Sequence, residues 1–539
     1  MARSAGVLSI AIAISRITGL AREMVMAYKF GAGFSFDAFV LGFRIPNLSR
    51  DLFAEGALSS AFVPTFTTTL AKDGKREAEL LANLVSTAIL LVVGILCIFG
   101  IFFAPQLVSV LAPGFAHVPG KFDLAVRLTR IMFPFLLLIA LAAQAMGMLN
   151  AFGAFGVPAL ASTLFNVGSV AFGLAIGFWW GPHLGILPIE GMAAGVIIGG
   201  VLQLAWQLQR LRHFGFSYRP AFNWSHPALR QVFALMLPAI LGNAAVQINV
   251  IVNTSFASQL ADPVRGPDGP VSWLGYALRI VQLPLGLFGV AFASAMLPSV
   301  ARSAAAQNFE EFRKTLSRSL SLVFLLTIPS SVALMMLGRP IIGAIYQSGR
   351  FEAYDTSQTA LALSYYSVGL LAYAAVKILN PAFYALADAR TPMFASLLSI
   401  GVNVCLPLLL LNRFHFGFAA LALTTSFAVG IESLLLFECL RRKLGGIEGR
   451  YLLDRFARVA GASAAMALAL LIINRALLNT VDAGRSNYIG ELLIALPVGL
   501  LVFFSAARLL GLEEAHFVTE LFVAPIGRRL HAAHARIRS

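Results

Sequence analysis

Long apolar runs alternate with short polar or glycine- and proline-rich stretches along the whole chain. A membrane-crossing helix needs about 20 mostly apolar residues, and we interpret the runs as fourteen spans. Their predicted bounds are 4–29, 36–67, 81–111, 124–149, 156–180, 189–209, 231–260, 272–300, 318–338, 358–385, 392–411, 416–440, 456–474 and 488–508. The connecting stretches are too short to form a separate domain. The pattern therefore predicts an all-α polytopic membrane protein.

The composition excludes other classes of protein. Of the 539 residues, 58% are hydrophobic and 12% charged, whereas soluble domains are about one-quarter charged. The net charge of +15 does not indicate nucleic-acid binding, because the basic residues are scattered between spans without interleaved aromatics. The three cysteines, Cys97, Cys405 and Cys439, lie in apolar runs and predict no disulfide framework. The first apolar run lacks a cleavage site, so we expect it to be retained as a span.

Basic residues favour one side of the predicted membrane. Of the 40 lysines and arginines, 24 fall in loops and tails on the side of the two termini, and 8 fall in loops on the opposite side. Cytoplasmic loops carry an excess of Lys and Arg. We therefore expect both termini to be cytoplasmic, which requires an even number of spans.

The chain contains an internal repeat at an offset of 234 residues. The sequence Ser60-Ala-Phe-Val-Pro64 corresponds to Ser294-Ala-Met-Leu-Pro298, and Arg44-Ile45 corresponds to Arg279-Ile280 with one gap. This offset equals six spans, so the two copies have the same orientation in the membrane. The predicted organisation is an N-terminal lobe (1–220, spans 1–6), a C-terminal lobe (221–445, spans 7–12), and spans 13–14 with a basic cytoplasmic tail (446–539).

Eight basic residues fall within predicted spans. They are Arg16, Arg22, Arg44, Arg50, Arg127, Arg130, Arg279 and Lys377. A central arginine facing lipid costs roughly 2.5–3.5 kcal/mol, so the four in the first two spans would cost on the order of 10–14 kcal/mol. Snorkelling accounts for Arg127, Arg130 and Lys377 near span ends. The other five predict a water-filled cavity that binds an anion, and the forked guanidinium suits phosphate.

An alternative is that these charges form ion pairs that hold helices together. Glu23 shares a helix face with Arg16, while Asp51 and Glu55 share one with Arg44. Together with Asp37, the hairpin has four acidic side chains against five basic ones when Arg279 is included. A surplus cation therefore remains, and intramembrane ionisable residues are functional by default.

Enzyme motifs are absent from the sequence. There is no phosphate-binding Gly-x-x-x-x-Gly-Lys-Ser/Thr loop, and the eight histidines have no metal-ligand spacing. We therefore expect no cofactor, no metal site and no catalytic residue. The intramembrane polar residues either coordinate an ion or, as we favour, stabilise helix packing. They are Asn166, Asn249, Asn253, Gln282 and Asn403.

Several stretches resemble a known family. They are Ser15-Arg16 with Gly19 and Arg22-Glu23; Phe30-Gly-Ala-Gly33 with Asp37-Ala-Phe; Pro46-Asn47-Leu48 with Arg50, Phe53-Ala-Glu-Gly-Ala57 and Ala61-Phe62-Val63-Pro64; Ser272-Trp273 with Arg279; and Phe383-Tyr384-Ala385 with Asp388 and Arg390-Thr391-Pro392. Together they resemble the MurJ (MviN) lipid II flippases of the multidrug/oligosaccharidyl-lipid/polysaccharide exporter superfamily. The resemblance extends over essentially the whole chain.

The resemblance implies two six-helix lobes around a central cavity, with two extra helices that form a lipid-side groove. It also implies transfer of lipid II, the undecaprenyl-diphosphate-linked peptidoglycan precursor, across the bacterial inner membrane by alternating access. Membrane potential is the expected driving force, and cell-wall synthesis proteins are possible partners. The implied substrate-binding residues are Arg16, Arg22, Arg50, Arg279 and Asp37, and we add their neighbours Ser15, Arg44 and Glu55.

The chain departs from the family pattern at two places. Leu278 and Gln282 stand where relatives often have an acidic residue near the arginine of the eighth span. Some relatives have a sodium site that uses Asn and Asp on the eleventh span, whereas here Asn403 is followed four residues later by Pro407, which argues against sodium coupling. The remaining alternatives are another polysaccharide-lipid or drug exporter, and an intramembrane glycosyltransferase. The latter needs a catalytic carboxylate and usually a large outer loop.

Overall fold

The computed structural model describes residues 2–49, 58–414, 416–477 and 484–512. Within these ranges the regular structure is helical, apart from one isolated antiparallel bridge between Asp262 and Gly266. The predicted all-α class is therefore confirmed. The helices are α1 Ala2–Phe30, α2 Phe34–Ser49, α3 Ser59–Lys72, α4 Gly74–Phe102, α5 Ala104–Leu111, α6 Lys121–Met132, α7 Phe135–Ala151, α8 Gly156–Leu174, α9 Gly181–Leu184, α10 Pro188–His213, α11 Pro227–Gln259, α12 Pro270–Pro284, α13 Val290–Ala305, α14 Phe309–Met336, α15 Gly338–Tyr346, α16 Ala353–Val368, α17 Leu370–Ala385, α18 Arg390–Phe414, α19 Ala420–Lys443, α20 Gly449–Leu477 and α21 Arg485–Leu509.

Ten helical segments among the described residues are long and apolar enough to cross a membrane. Helices α16 and α17 form an eleventh candidate if this pair, bent by 44°, is one span. The protein is therefore a multi-pass membrane protein. The predicted total of fourteen spans stays a prediction.

The chain forms two compact units. The first unit contains Met1–Ser272 and Ser348–Phe351, and the second contains Trp273–Gln347 and Glu352–Ser539. These units are defined by which residues pack together, whereas the predicted lobes are defined by the sequence repeat. The boundaries of the lobes stay a prediction. Helix α12 begins in the first unit and continues into the second.

Small residues allow a close contact between α8 and α10 in the first unit. A side chain at Gly195 of α10 would meet the backbone of Ser169 and Gly173 on α8, and one at Gly199 would meet the carbonyl of Phe165. Glycines at such positions let two membrane helices approach closely, so that dispersion contacts hold them together where lipid removes the hydrophobic driving force.

The Ser348–Phe351 segment joins the first unit through the end of α1. The Arg350 backbone N–H donates to the Tyr28 carbonyl at 3.0 Å. Gly31 and Gly349 flank this contact with φ values of 67° and 59°, a conformation that glycine adopts without steric cost. A side chain at either glycine would also overlap the opposing backbone.

The second unit has two apolar clusters. One is built from α13, α14, α17 and α19 around Val300, Leu320, Ile378 and Leu436. The other places α20 and α21 against α14, with Leu325, Met466 and Phe503 at its centre. The last two described helices are therefore packed into the second unit rather than separate from it.

Candidate functional site

Helix α1 is fixed against α8 by one polar side chain. Asn166 Nδ2 donates to the Ser15 carbonyl at 3.2 Å and lies 3.4 Å from Thr18 Oγ1. The Thr18 hydroxyl donates back to the carbonyls of Ile14 and Ser15. Gly19 lies against Asn166, where a side chain would be in contact with the amide. These contacts set the rotation of α1 and hence the directions in which its arginines point.

The two arginines of α1 have different surroundings. Arg16 is exposed. The Arg22 side chain is 15% exposed, and its guanidinium carbon lies 5.8 Å from the centre of the Phe43 ring and 5.3 Å from that of Phe165. Its Nη2 is 3.9 Å from Glu23 Oε1. Aromatic faces attract a guanidinium at these distances, so Phe43 of α2 and Phe165 of α8 hold the Arg22 fork.

Arg44 binds a helix distant in sequence. Its Nη1 donates to Thr254 Oγ1 of α11, and Thr254 is buried. The Arg44 side chain itself is half-buried. Arg44 therefore ties α2 to α11 within the first unit.

Asp37 lies fully buried in a polar network. Its Oδ2 accepts from Lys121 Nζ at 2.8 Å and from the Gly269 backbone N–H at 3.0 Å. Its Oδ1 accepts from the Ser272 backbone N–H at 2.9 Å and from the Ser272 hydroxyl. Lys121 Nζ also donates to Asp268 Oδ1 at 2.7 Å. The Asp37 and Lys121 side chains are both 0% exposed.

This arrangement leaves Asp37 with four donors from the chain itself. A carboxylate has about four lone-pair sites, so in this structure Asp37 has no capacity left for a substrate. Its proposed part in substrate binding stays a prediction. Lys121 falls in a loop between the predicted spans and is not among the predicted site residues, and no local signal in the sequence pairs it with Asp37.

The remaining predicted site residues are placed as follows. Arg279 is exposed on α12 in the second unit. Arg50 and Glu55 lie outside the described residues. The first unit therefore contains Ser15, Arg16, Arg22, Asp37 and Arg44 on two consecutive helices.

The other intramembrane cations have local partners or are exposed. Arg127 Nε lies 3.3 Å from Glu190 Oε1, with the arginine side chain 53% exposed. Arg130 Nε donates to the Ile101 carbonyl at 3.2 Å, and Lys377 is exposed. Among the described residues, no group of three or more His, Cys, Asp or Glu side chains could hold a metal ion.

Comparison with known proteins identifies the family. The profile of the "Lipid II flippase MurJ" family matches residues 26–487. A lipid II flippase MurJ from Burkholderia cenocepacia is 36% identical over 438 residues, which are 80% of this chain and 82% of the relative. The chain belongs to the lipid II flippase MurJ family.

Solved structures agree with this assignment. A structure of a lipid II flippase MurJ in an inward closed conformation has a TM-score of 0.74 and 25% identity, and the match covers 93% of this chain and 98% of the other. An inward-facing multidrug resistance MATE family transporter has a TM-score of 0.64 at 16% identity, with 80% and 94% covered. The second likeness concerns the fold alone.

Family membership fixes the class of activity. MurJ-family proteins are transporters, so this chain is a transporter rather than an enzyme. Its relatives are bacterial, and its apolar spans make it a multi-pass protein of the bacterial inner membrane. The arginines of α1, α2 and α12 therefore belong to a membrane transporter.

Proposed function

We propose that this chain flips lipid II from the inner to the outer leaflet by alternating access. The relatives' names support the substrate. The observation that carries the proposal is the set of arginines on apolar helices, which includes an exposed Arg16, an exposed Arg279 and an Arg22 fixed between aromatic rings. Intramembrane cations are costly, and those that occur typically mark the path of a substrate or an ion.

The diphosphate of the lipid is the group that these arginines bind. Arg16, Arg22, Arg50 and Arg279 each present a planar fork that can form two parallel hydrogen bonds to phosphate oxygens. The polyprenyl chain stays in lipid beside the last two spans. The proposed site also includes their neighbours in the first two predicted spans, Ser15, Asp37, Arg44 and Glu55.

Binding measurements test the assignment. A hydrogen bond to a charged group contributes about 1.5–3 kcal/mol, so we expect Arg16→Ala, Arg22→Ala and Arg279→Ala each to weaken lipid II binding about 10- to 100-fold. Binding is measured by native mass spectrometry of the full chain. Arg127→Ala is the control, because it removes another intramembrane arginine that pairs with Glu190. Undiminished binding in all three variants contradicts the proposal.

Membrane potential is the proposed driving force. A unit charge crossing 100 mV changes in energy by about 2.3 kcal/mol, so an inside-negative potential moves a doubly charged diphosphate outward with about 4.6 kcal/mol. The same field draws an empty, arginine-lined site back toward the cytoplasm. In proteoliposomes, collapse of the potential with proton and sodium gradients held should slow flipping. Flipping that continues at full rate rules out this driving force.

The repeat and the charge distribution support a finer architecture. We propose fourteen spans, with lobes at 1–220 and 221–445 around a central cavity and a lipid-side groove formed within 446–539. Both termini are cytoplasmic in this arrangement, and cell-wall synthesis proteins that use lipid II are the partners. Single cysteines placed at Ser4 and Ser539 of a cysteine-free chain should react with an impermeant maleimide only from the cytoplasmic side. Labelling of either from outside contradicts the topology.

A further inference from the structure

A buried carboxyl that plays no part in the proposed lipid site lies in the second unit. Glu432 is on α19, one of the helices apolar enough to cross the membrane, and it is 7% exposed. Leu436, one turn further along the same helix, is fully buried in the apolar cluster, as are Ile378 of α17 and Ala395 of α18. The Glu432 side chain therefore lies next to the apolar core of this unit.

The polar groups around Glu432 are neutral hydroxyls. Ser396 Oγ donates to Glu432 Oε1 at 2.7 Å. Ser399, one turn further along α18, is fully buried near the carboxyl, and its Oγ has no hydrogen-bond partner among the described residues. Within the part of the chain that the structure describes, no basic side chain forms an ion pair with Glu432.

The titratable groups that face Glu432 come from α17. Lys377, an exposed ammonium, acts on the carboxyl beyond ion-pair distance. Tyr373 and Tyr384 of the same helix also interact with it. From α16, Tyr366 lies beside Tyr373. A phenol that stays neutral compensates little for a buried negative charge, so the carboxylate form lacks a close counter-charge.

An isolated carboxylate in an apolar interior becomes protonated rather than remaining charged. In the neutral form, the carboxyl keeps the Ser396 hydrogen bond on Oε1 and carries its proton on the other oxygen. In the charged form, two neutral hydroxyls would have to replace the hydration of a full charge. The burial and the partners therefore favour a bound proton on Glu432 in this conformation.

We propose that Glu432 is a proton-binding site through which the second unit couples to the transmembrane pH difference. A proton from water binds the carboxylate to give the carboxylic acid. It leaves to water when the unit rearranges so that Glu432 is hydrated, and the Lys377 ammonium then stabilises the carboxylate. Coupling to transport rests on the proposed lipid II flippase function, whereas proton binding itself does not.

The first experiment measures protonation without transport. Infrared difference spectra are recorded on the full chain in lipid at neutral pH. We expect a carboxylic-acid C=O stretch that is lost in Glu432→Gln. Glu310→Gln is the control, because the Glu310 side chain is 70% exposed and pairs with Lys314, so only the carboxylate bands should change. An acid band that is unchanged in Glu432→Gln, with loss of a carboxylate band instead, overturns the proposal.

A second variant keeps the test decisive if Glu432→Gln does not fold. Ser396→Ala removes the hydroxyl donor, so the same C=O stretch should move to a higher frequency, as expected for a weaker hydrogen bond. A spectrum in which Ser396→Ala leaves this band unmoved overturns the assignment to Glu432.

The second experiment measures coupling. Lipid II flipping in proteoliposomes is followed with the potential clamped and a pH difference imposed. The wild-type chain should change its rate several-fold with the pH difference, and Glu432→Gln should lose that response while Glu310→Gln keeps it. An unaltered response in Glu432→Gln overturns the coupling. A wild-type chain that does not flip lipid II contradicts the proposed function but leaves the infrared result intact.

Discussion

Replacement of Lys121 by methionine tests the buried network of the first unit. The lysine ammonium donates to Asp37 at 2.8 Å, to Asp268 at 2.7 Å and to the Pro267 carbonyl at 3.1 Å. Methionine has a similar length and no charge, so the substitution removes all three bonds with little change in volume. Asp37 would then keep three neutral donors, from Gly269 and Ser272, but no counter-charge.

The expected loss of unfolding free energy in Lys121→Met follows from the burial of Asp37 and Lys121. Removing one partner of a buried ion pair costs about 3–5 kcal/mol, because the other charge stays buried without compensation. The three remaining donors to Asp37 place Lys121→Met near the lower end of that range. Asp37→Asn should also destabilise the protein, because it removes the buried counter-charge of Lys121 and leaves only Asp268, which is 30% exposed. The double variant should lose about 1–3 kcal/mol less than the sum of the single variants.

Reversible unfolding in mixed micelles, followed by far-ultraviolet circular dichroism, gives the three free energies. Arg127→Met is the matched control on the same helix. The Arg127 side chain, which pairs with Glu190, is 53% exposed, and exposed ion pairs contribute about 0–1 kcal/mol to stability. A Lys121→Met variant that is no less stable than this control refutes the reasoning. Additivity of the two single changes within about 0.5 kcal/mol would also refute it.

The same unfolding assay tests two further positions. Gly114→Ala should destabilise the protein by about 1–3 kcal/mol, because the new methyl group would overlap the Ser258 backbone. Gly94→Ala is the control and should be neutral or stabilising, because Gly94 has open space around it. Equal losses of unfolding free energy in the two variants contradict this prediction. The pKa of Asp388 lies well below its ordinary value because Lys443 donates a hydrogen bond to it. Its contribution is therefore complete above the ordinary pKa and is lost as the pH falls through the lowered one. Asp388→Ala should accordingly destabilise at neutral pH and not in strong acid, and a loss independent of pH contradicts this.

The close approach of α8 and α10 shows a feature that local sequence contains. Gly191, Gly195 and Gly199 recur every four residues on α10. Gly195 and Gly199 face α8, and Gly191 faces Ile176 and Gly177, which follow directly after α8. Such spacing puts small residues on one helix face, so the contact surface of α10 can be recognised from the chain alone. Its partner helix cannot, because many spans offer small residues.

The surroundings of the charged residues show the opposite case. Asp37 and Lys121 are 84 residues apart, and Lys121 is the first residue of α6, a position that sequence reasoning assigns to a loop. Arg22 meets the rings of Phe43 and Phe165, and phenylalanines are too frequent in this chain for the sequence to select these two. Each pairing depends on which helices pack side by side.

The sequence by itself determined that this protein spans a membrane many times, that its spans contain arginines, and which family it resembles. These features are local, because the thickness of the bilayer sets the length of an apolar run and each buried charge is costly wherever its helix lies. The tertiary structure decided which charges are neutralised and which remain accessible. It buries Asp37 against Lys121, leaves Arg16 and Arg279 exposed and encloses Glu432 among hydroxyls, because burial and counter-charges come from helices that only folding brings together.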